Sequence, residues 1–146
     1  MLETLQFLGT FCAAIFAGAA LYINLVEHPA RLSLDTAAAV AQWAPSYQRA
    51  TLMQAPLAVV AAIAGLGAWL LGGGVAWLMA GVVIGAVVPF TFIGIMPTNH
   101  ELLAPARDRA SPETRMLLQK WGRLHGVRSV LAFLATVIML GRLLGV

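Results

Sequence analysis

Leu70-Leu71-Gly72-Gly73-Gly74-Val75-Ala76-Trp77 decides the fold, because three glycines are all that separates two long apolar runs, Thr51 to Leu71 and Val75 to Ile95. As a helix each run reaches about 31 Å, the thickness of a bilayer's hydrocarbon core. A connection this short cannot cross the bundle, so the two helices lie antiparallel. Two further apolar runs flank this hairpin, Leu5 to Val26 before it and Val127 to Leu144 after it. The sequence therefore predicts an all-α protein: a transmembrane, antiparallel four-helix bundle, with residues 1–146 forming one four-span membrane domain.

Composition agrees. Of the 146 residues, 60% are hydrophobic and 10% charged, whereas soluble domains carry about 25% charged residues. The net charge of +3 does not point to nucleic acid, because the cations sit between apolar spans, where juxtamembrane anchoring explains them. The single Cys12 lies within span one and offers neither an intrachain disulfide nor a thiolate metal cluster. Glu3 stands where a signal peptide would carry basic residues, so span one reads as a retained helix. Small residues at Gly9, Ala13 and Ala17, and at Gly81 and Gly85, predict close helix contacts.

The polar residues are not spread evenly. At the end of span one Asn24, Glu27, His28 and Arg31 share a helical face, and Pro29 is expected to kink or end that helix. Residues 31–50 read as a loop holding a short helix capped at Asp35, with Trp43 and Tyr47 one turn apart. Gln54 and Pro56 open span two; Pro89 and Thr91 interrupt span three, which ends at Pro97-Thr98-Asn99-His100-Glu101. Ser111-Pro112-Glu113 predicts the start of a last helix that runs through Trp121 into span four, loosened at Gly126. Along it Trp121, His125 and Arg128 fall at i, i+4 and i+7, on one face.

Four spans bring both chain ends to one side and both polar connections to the other. Eight cations, Arg31, Arg49, Arg107, Arg109, Arg115, Lys120, Arg123 and Arg128, flank the connections, against Arg142 alone at the other end. That asymmetry predicts cytoplasmic loops and external termini, in a bacterial inner membrane. The same end collects Asn24, Glu27, His28, Arg49, Gln54, Asn99, Trp121, His125 and Arg128 around one cavity mouth. Interfacial anchoring accounts for Trp and Arg singly. Their convergence with two histidines favours a site.

Several motifs taken together resemble the anthrone-oxygenase-like family of small four-helix membrane proteins: His28-Pro29, Trp43 with Tyr47, Pro89-Phe90-Thr91, Pro97-Thr98-Asn99 with Leu102, and Trp121, His125 and Arg128. The resemblance covers nearly the whole chain. Characterised fungal members oxidise polyketide anthrones to anthraquinones with dioxygen, without metal or flavin. It implies a cofactor-independent oxygenase or oxidase acting on a lipophilic, acidic aromatic ketone. On that reading His125 or His28 removes the proton, Arg128 and Asn99 stabilise the enolate, and Trp121, Trp43 and Tyr47, with Asn24 and Gln54, hold the substrate. The expected partners are the bilayer, the substrate and dioxygen; a homo-oligomer stays open. Two other readings remain. In one, His28 and His125 bind haem or a transition metal, with Glu27 or Glu101 as an oxygen ligand. In the other, the polar cluster binds a small molecule or holds the loops together without catalysis.

Overall fold

The computed structural model describes residues 1–145. They form four long helices, α1 (Leu2–Leu32), α2 (Thr36–Gly73), α3 (Val75–Leu103) and α4 (Pro112–Leu144), each long and apolar enough to cross a membrane. No strand occurs among the described residues. Each of α1 and α3 packs against both α2 and α4, while diagonal contacts are sparse, so the helices stand in a square in chain order.

The helices reach further than the apolar runs that announce them. Residues 31–50 are not a loop with a surface helix: α1 continues to Leu32 and α2 starts at Thr36. Asp35 caps α2 as expected, its carboxylate accepting from the Ala38 amide at 2.9 Å. Pro45 and Pro56 both lie within α2 without ending it. The α3–α4 connection shrinks likewise to residues 104–111, and Ser111 accepts from the Thr114 amide at 3.2 Å to start α4. That helix then passes Trp121 as expected, and Gly126 does not interrupt it.

Pro29 does not end α1 either. A proline clashes with the carbonyl four residues earlier and cannot donate to it. Here the turn Ile23–Glu27 widens to i→i+5 hydrogen bonding just ahead of Pro29. The wide turn takes up the misfit. Pro97 repeats the device at the same offset, following the wide turn Thr91–Ile95 in α3. Thus α1 and α3 stay continuous past Pro29 and Pro97 and are locally rewound.

At the end near the chain termini the core is built from alanine and glycine around Phe16, Trp77, Ile84 and Met139. A Cβ placed on Gly65 of α2 would lie 2.9 Å from the Gly81 Cα of α3, so these two helices touch backbone to backbone. The α2–α3 hairpin turns on Gly72 and Gly74, with φ of 87° and 96°, a region open to glycine at little cost. Toward the connections the core changes to Trp43, Trp121, Ile95, Leu102 and Leu118. Phe7, Phe11, Ile63, Leu70, Val82, Ile93, Val130 and Phe133 face outward, an apolar mantle far beyond what a water-exposed bundle carries.

Candidate active site

Between the aromatic layer and the alanine core lies a buried polar layer. Asn24 organises it from the wide turn of α1. Its Nδ2 donates to the Gly122 carbonyl at 2.9 Å, which fixes the amide's orientation. Oδ1 then accepts from Ser129 Oγ at 2.6 Å and from His125 Nδ1 at 2.7 Å. An amide oxygen has no proton to give, so Nδ1 carries the imidazole hydrogen and Nε2 keeps the lone pair. His125 is 2% exposed and borders a cavity of about 10 Å3 with Arg31, Ser46, Tyr47, Gln54, Trp121 and Arg128.

Arg128 closes the other wall. Nη2 donates to Gln54 Oε1 at 3.1 Å, and the guanidinium carbon lies 5.4 Å from the Phe16 ring centre. No carboxylate pairs with it among the described residues, where the ion pairs are Arg31–Glu27 and Arg107–Glu101. Its Nε has no hydrogen-bond partner there. A buried cation without a counter-charge costs several kcal/mol, about the scale lost when one member of a buried pair is removed. Arg128 also borders a second, apolar cavity of about 100 Å3 between α2 and α3, walled by Phe16, Ala55, Ala58, Val88, Phe92 and Met96. Tyr47 and Thr51 face both spaces.

The aromatic layer holds these groups in register. Trp121 stacks on His125 with ring centres 4.9 Å apart, leans on His28 at 5.2 Å, and meets Trp43 edge-on at 5.9 Å. Trp43 in turn stacks on Tyr47 at 5.2 Å, nearly parallel. Beside them Arg31 bonds to Glu27 and Gln42, reaches Ser46 Oγ at 3.3 Å, and donates to His28 Nδ1 at 3.2 Å.

Five of the nine residues singled out from sequence border the small cavity: Tyr47, Gln54, Trp121, His125 and Arg128. Asn24 stands behind His125 and positions it, where direct substrate contact was expected. His28, Trp43 and Asn99 line neither cavity. The lone pair on His28 Nδ1 is taken up by Arg31, and its other nitrogen lies where a Gly122 Cβ would be 2.4 Å away. His28 is therefore a packed partner of Arg31 and Trp121. Trp43 gives its face to Tyr47. Asn99 is fully buried in α3, its amide without a partner among the described residues. Sequence reasoning assigned no site role to Arg31, Ser46, Thr51 or Phe16. The signal for Arg31 is its i+4 spacing from Glu27.

Among the described residues no three His, Cys, Asp or Glu side chains come together as a metal-ligand cluster. To share one iron, His28 would have to give up its bond to Arg31, whereas His125 could offer Nε2 and keep its Nδ1 bond to Asn24. Glu27 is engaged with Arg31, and Glu101 with Arg107 near the α3–α4 connection.

Fold and site together define a class: an all-helical protein of membrane-spanning character with a buried histidine and arginine on one small cavity, the arginine also bordering an apolar one. A sequence model of the family described as anthrone oxygenase matches residues 43–138. The chain is 34% identical over 76 residues to "Anthrone oxygenase tpcL" of Aspergillus fumigatus, a match covering 50% of this chain and 47% of that protein. It is 29% identical over 137 residues to "Anthrone oxygenase" of Claviceps purpurea, covering 84% of this chain and 78% of that protein. The first of these matches thus spans about half the relative's length. No solved structure matches the chain. The chain belongs to the anthrone oxygenase family.

Proposed function

We propose that this protein is a cofactor-independent oxygenase of a lipophilic, acidic aromatic ketone of the anthrone type. The observation that carries the reading is the pairing on one cavity of a histidine with a free Nε2 and an arginine without a carboxylate. The ketone carries an acidic CH2 group. His125 Nε2 takes one of its protons, and Arg128 holds the enolate oxygen. The electron-rich enolate passes an electron to dioxygen. The resulting radical pair joins through a new C–O bond, and the peroxide recovers the proton from the imidazolium. Loss of water then leaves a second carbonyl, so one CH2 and one O2 become one C=O and one H2O. The chain's part is to supply a base, a fixed cation and orientation.

The apolar space suits the reactants in character but is small. Its roughly 100 Å3 falls below the 300–1,000 Å3 of ordinary ligand sites. Entry of a three-ring ketone requires Phe92 and Met96 to swing outward. Phe92 is largely exposed, and Met96 is half-buried, its sulfur 3.9 Å from the Tyr47 hydroxyl. The cavity's size favours a second reading, a protein that binds a smaller molecule without turnover. Oxygen uptake by metal-stripped protein with an anthrone substrate separates the two. His125→Gln is expected to lose about 10²–10⁴-fold, the scale of a positioned base. Equal uptake by wild type and variant favours the second reading, and recovery only on adding iron or copper favours a metal.

The same proposal places the bundle in a membrane with its connections on the cytoplasmic side, supported by the eight cations at that end against Arg142 at the other.

A further inference from the structure

The cavity beside His125 has a boundary that the reaction above leaves unused. Ser46 and Arg31 line it, and both bond to Glu27: Ser46 Oγ donates to Oε1, and so does the guanidinium. Gln42 Nε2 adds a bond to the same oxygen at 3.4 Å. The Arg31 side chain is 1% exposed, but that of Glu27 is 21% exposed. Glu27 borders two grooves that open outward between α1 and α2. A hydroxyl in the cavity wall is thus joined directly to a carboxylate that reaches the outside. The cavity's own volume, about 10 Å3, is the room one water needs. His125 and Ser46 both line that space.

We propose that Ser46 and Glu27 form a proton outlet from His125 to the α1–α2 grooves; this rests on His125 as the base. The proton taken from the substrate carbon sits on Nε2. It passes to the cavity water, which hands one of its own to Ser46 Oγ. Ser46 releases its hydroxyl proton to the Glu27 carboxylate, which gives it to outside water. Run in reverse, the chain brings a solvent proton in, and no electron moves. Arg31 and Gln42 position the carboxylate at the outlet. Arg128, on the far wall, stays with the enolate.

Oxidation and exchange make different demands on this outlet. In oxidation the proton leaves carbon and returns to peroxide, so turnover proceeds with the outlet shut. Exchange of the substrate's CH2 hydrogens with solvent requires it open. The experiment incubates detergent-solubilised protein with anthrone in D2O without dioxygen and follows deuterium entry by mass spectrometry against the uncatalysed background. Oxygen uptake is measured in parallel. Wild type is expected to speed deuterium entry. Glu27→Gln and Ser46→Ala cut that entry by about 10²-fold, a positioned proton carrier's contribution, and Glu27→Gln, which lies outside the cavity wall, leaves oxygen uptake near wild type. Glu27→Asp keeps a carboxylate and keeps most of the exchange. Unchanged exchange in both Glu27→Gln and Ser46→Ala overturns the outlet while leaving the base intact. Equal loss of exchange and uptake, not rescued by Glu27→Asp, makes the pair a structural brace and overturns it too. Wild type that neither exchanges nor consumes oxygen removes His125 as base and the outlet with it.

Discussion

At the scale of single residues, Arg128 divides function from stability. Its cation is buried against Gln54 and Phe16 without a carboxylate among the described residues. Replacing even a buried ion pair by apolar chains of similar volume is often neutral or stabilising by about 1–4 kcal/mol, and a lone buried cation has less Coulomb attraction to offset its desolvation. Arg128→Met is therefore expected to abolish oxygen uptake while thermal unfolding in detergent stays the same or moves up. A large drop in stability would instead make Arg128 a structural residue. Arg128→Lys keeps the charge but not the planar fork, and should retain part of the activity. The Trp121, His125 and Arg128 face was legible from i, i+4, i+7 spacing alone. His28 was not: a helical period shows which side a residue faces, but not that a neighbouring arginine already occupies its lone pair.

Among the elements, the wide turns before Pro29 and Pro97 set the polar end. The turn at Ile23–Glu27 lets Asn24 reach α4 while Glu27 and Arg31 bond to residues on α2. Pro29→Ala restores the missing donor and removes the clash that the wide turn absorbs. The turn should then tighten to ordinary α pitch, rotating Asn24 relative to Arg31 by about 100°. The expected result is loss of oxygen uptake with helical content by circular dichroism unchanged. A fully active variant would mean that Asn24 does not position His125. Backbone contact makes a separate prediction for α2 and α3. Gly65→Ala sets a methyl against the Gly81 backbone and should cost about 1–3 kcal/mol as overpacking. Gly18→Ala meets nothing within 4 Å and should hold or slightly raise the melting temperature, since alanine favours the helix. The start of α2 was hidden in the sequence by Pro45 and by the polar residues around it. Once Thr36–Gly73 is one helix, Trp43, Tyr47, Ala50 and Gln54 fall on a single stripe. Ser46 and Thr51 flank it.

Across the whole molecule, depth is the informative quantity. Counted at 1.5 Å per residue from the end where the termini lie, Arg128, His125, Gln54 and Asn24 sit about 24–33 Å up their helices. That is close to the full thickness of a hydrocarbon core. On the proposed placement in a membrane, the site lies at the boundary of the apolar layer. A cysteine introduced near Arg109 should resist an impermeant thiol reagent in intact cells, while one near Arg142 should react. Labelling near Arg109 alone would mean the cations serve the site and not orientation. Cys12 is buried and should stay silent in that assay. The four-helix class was legible because apolar run length is a whole-segment property. The cavities were not, because their walls combine residues from α1, α2, α3 and α4 whose distances no single segment encodes.

The bonds made by Asn24 also bear on the order of assembly. All three of its partners, Gly122, His125 and Ser129, lie on α4, the last of the four helices to leave the ribosome, and Arg128 of that helix finds Gln54 on α2. A nascent chain holding only α1 to α3 therefore carries Asn24 and Gln54 without these partners, and the arrival of α4 matches them in a single docking step. The polar layer is thus also a closing latch, engaged only once α4 has been made.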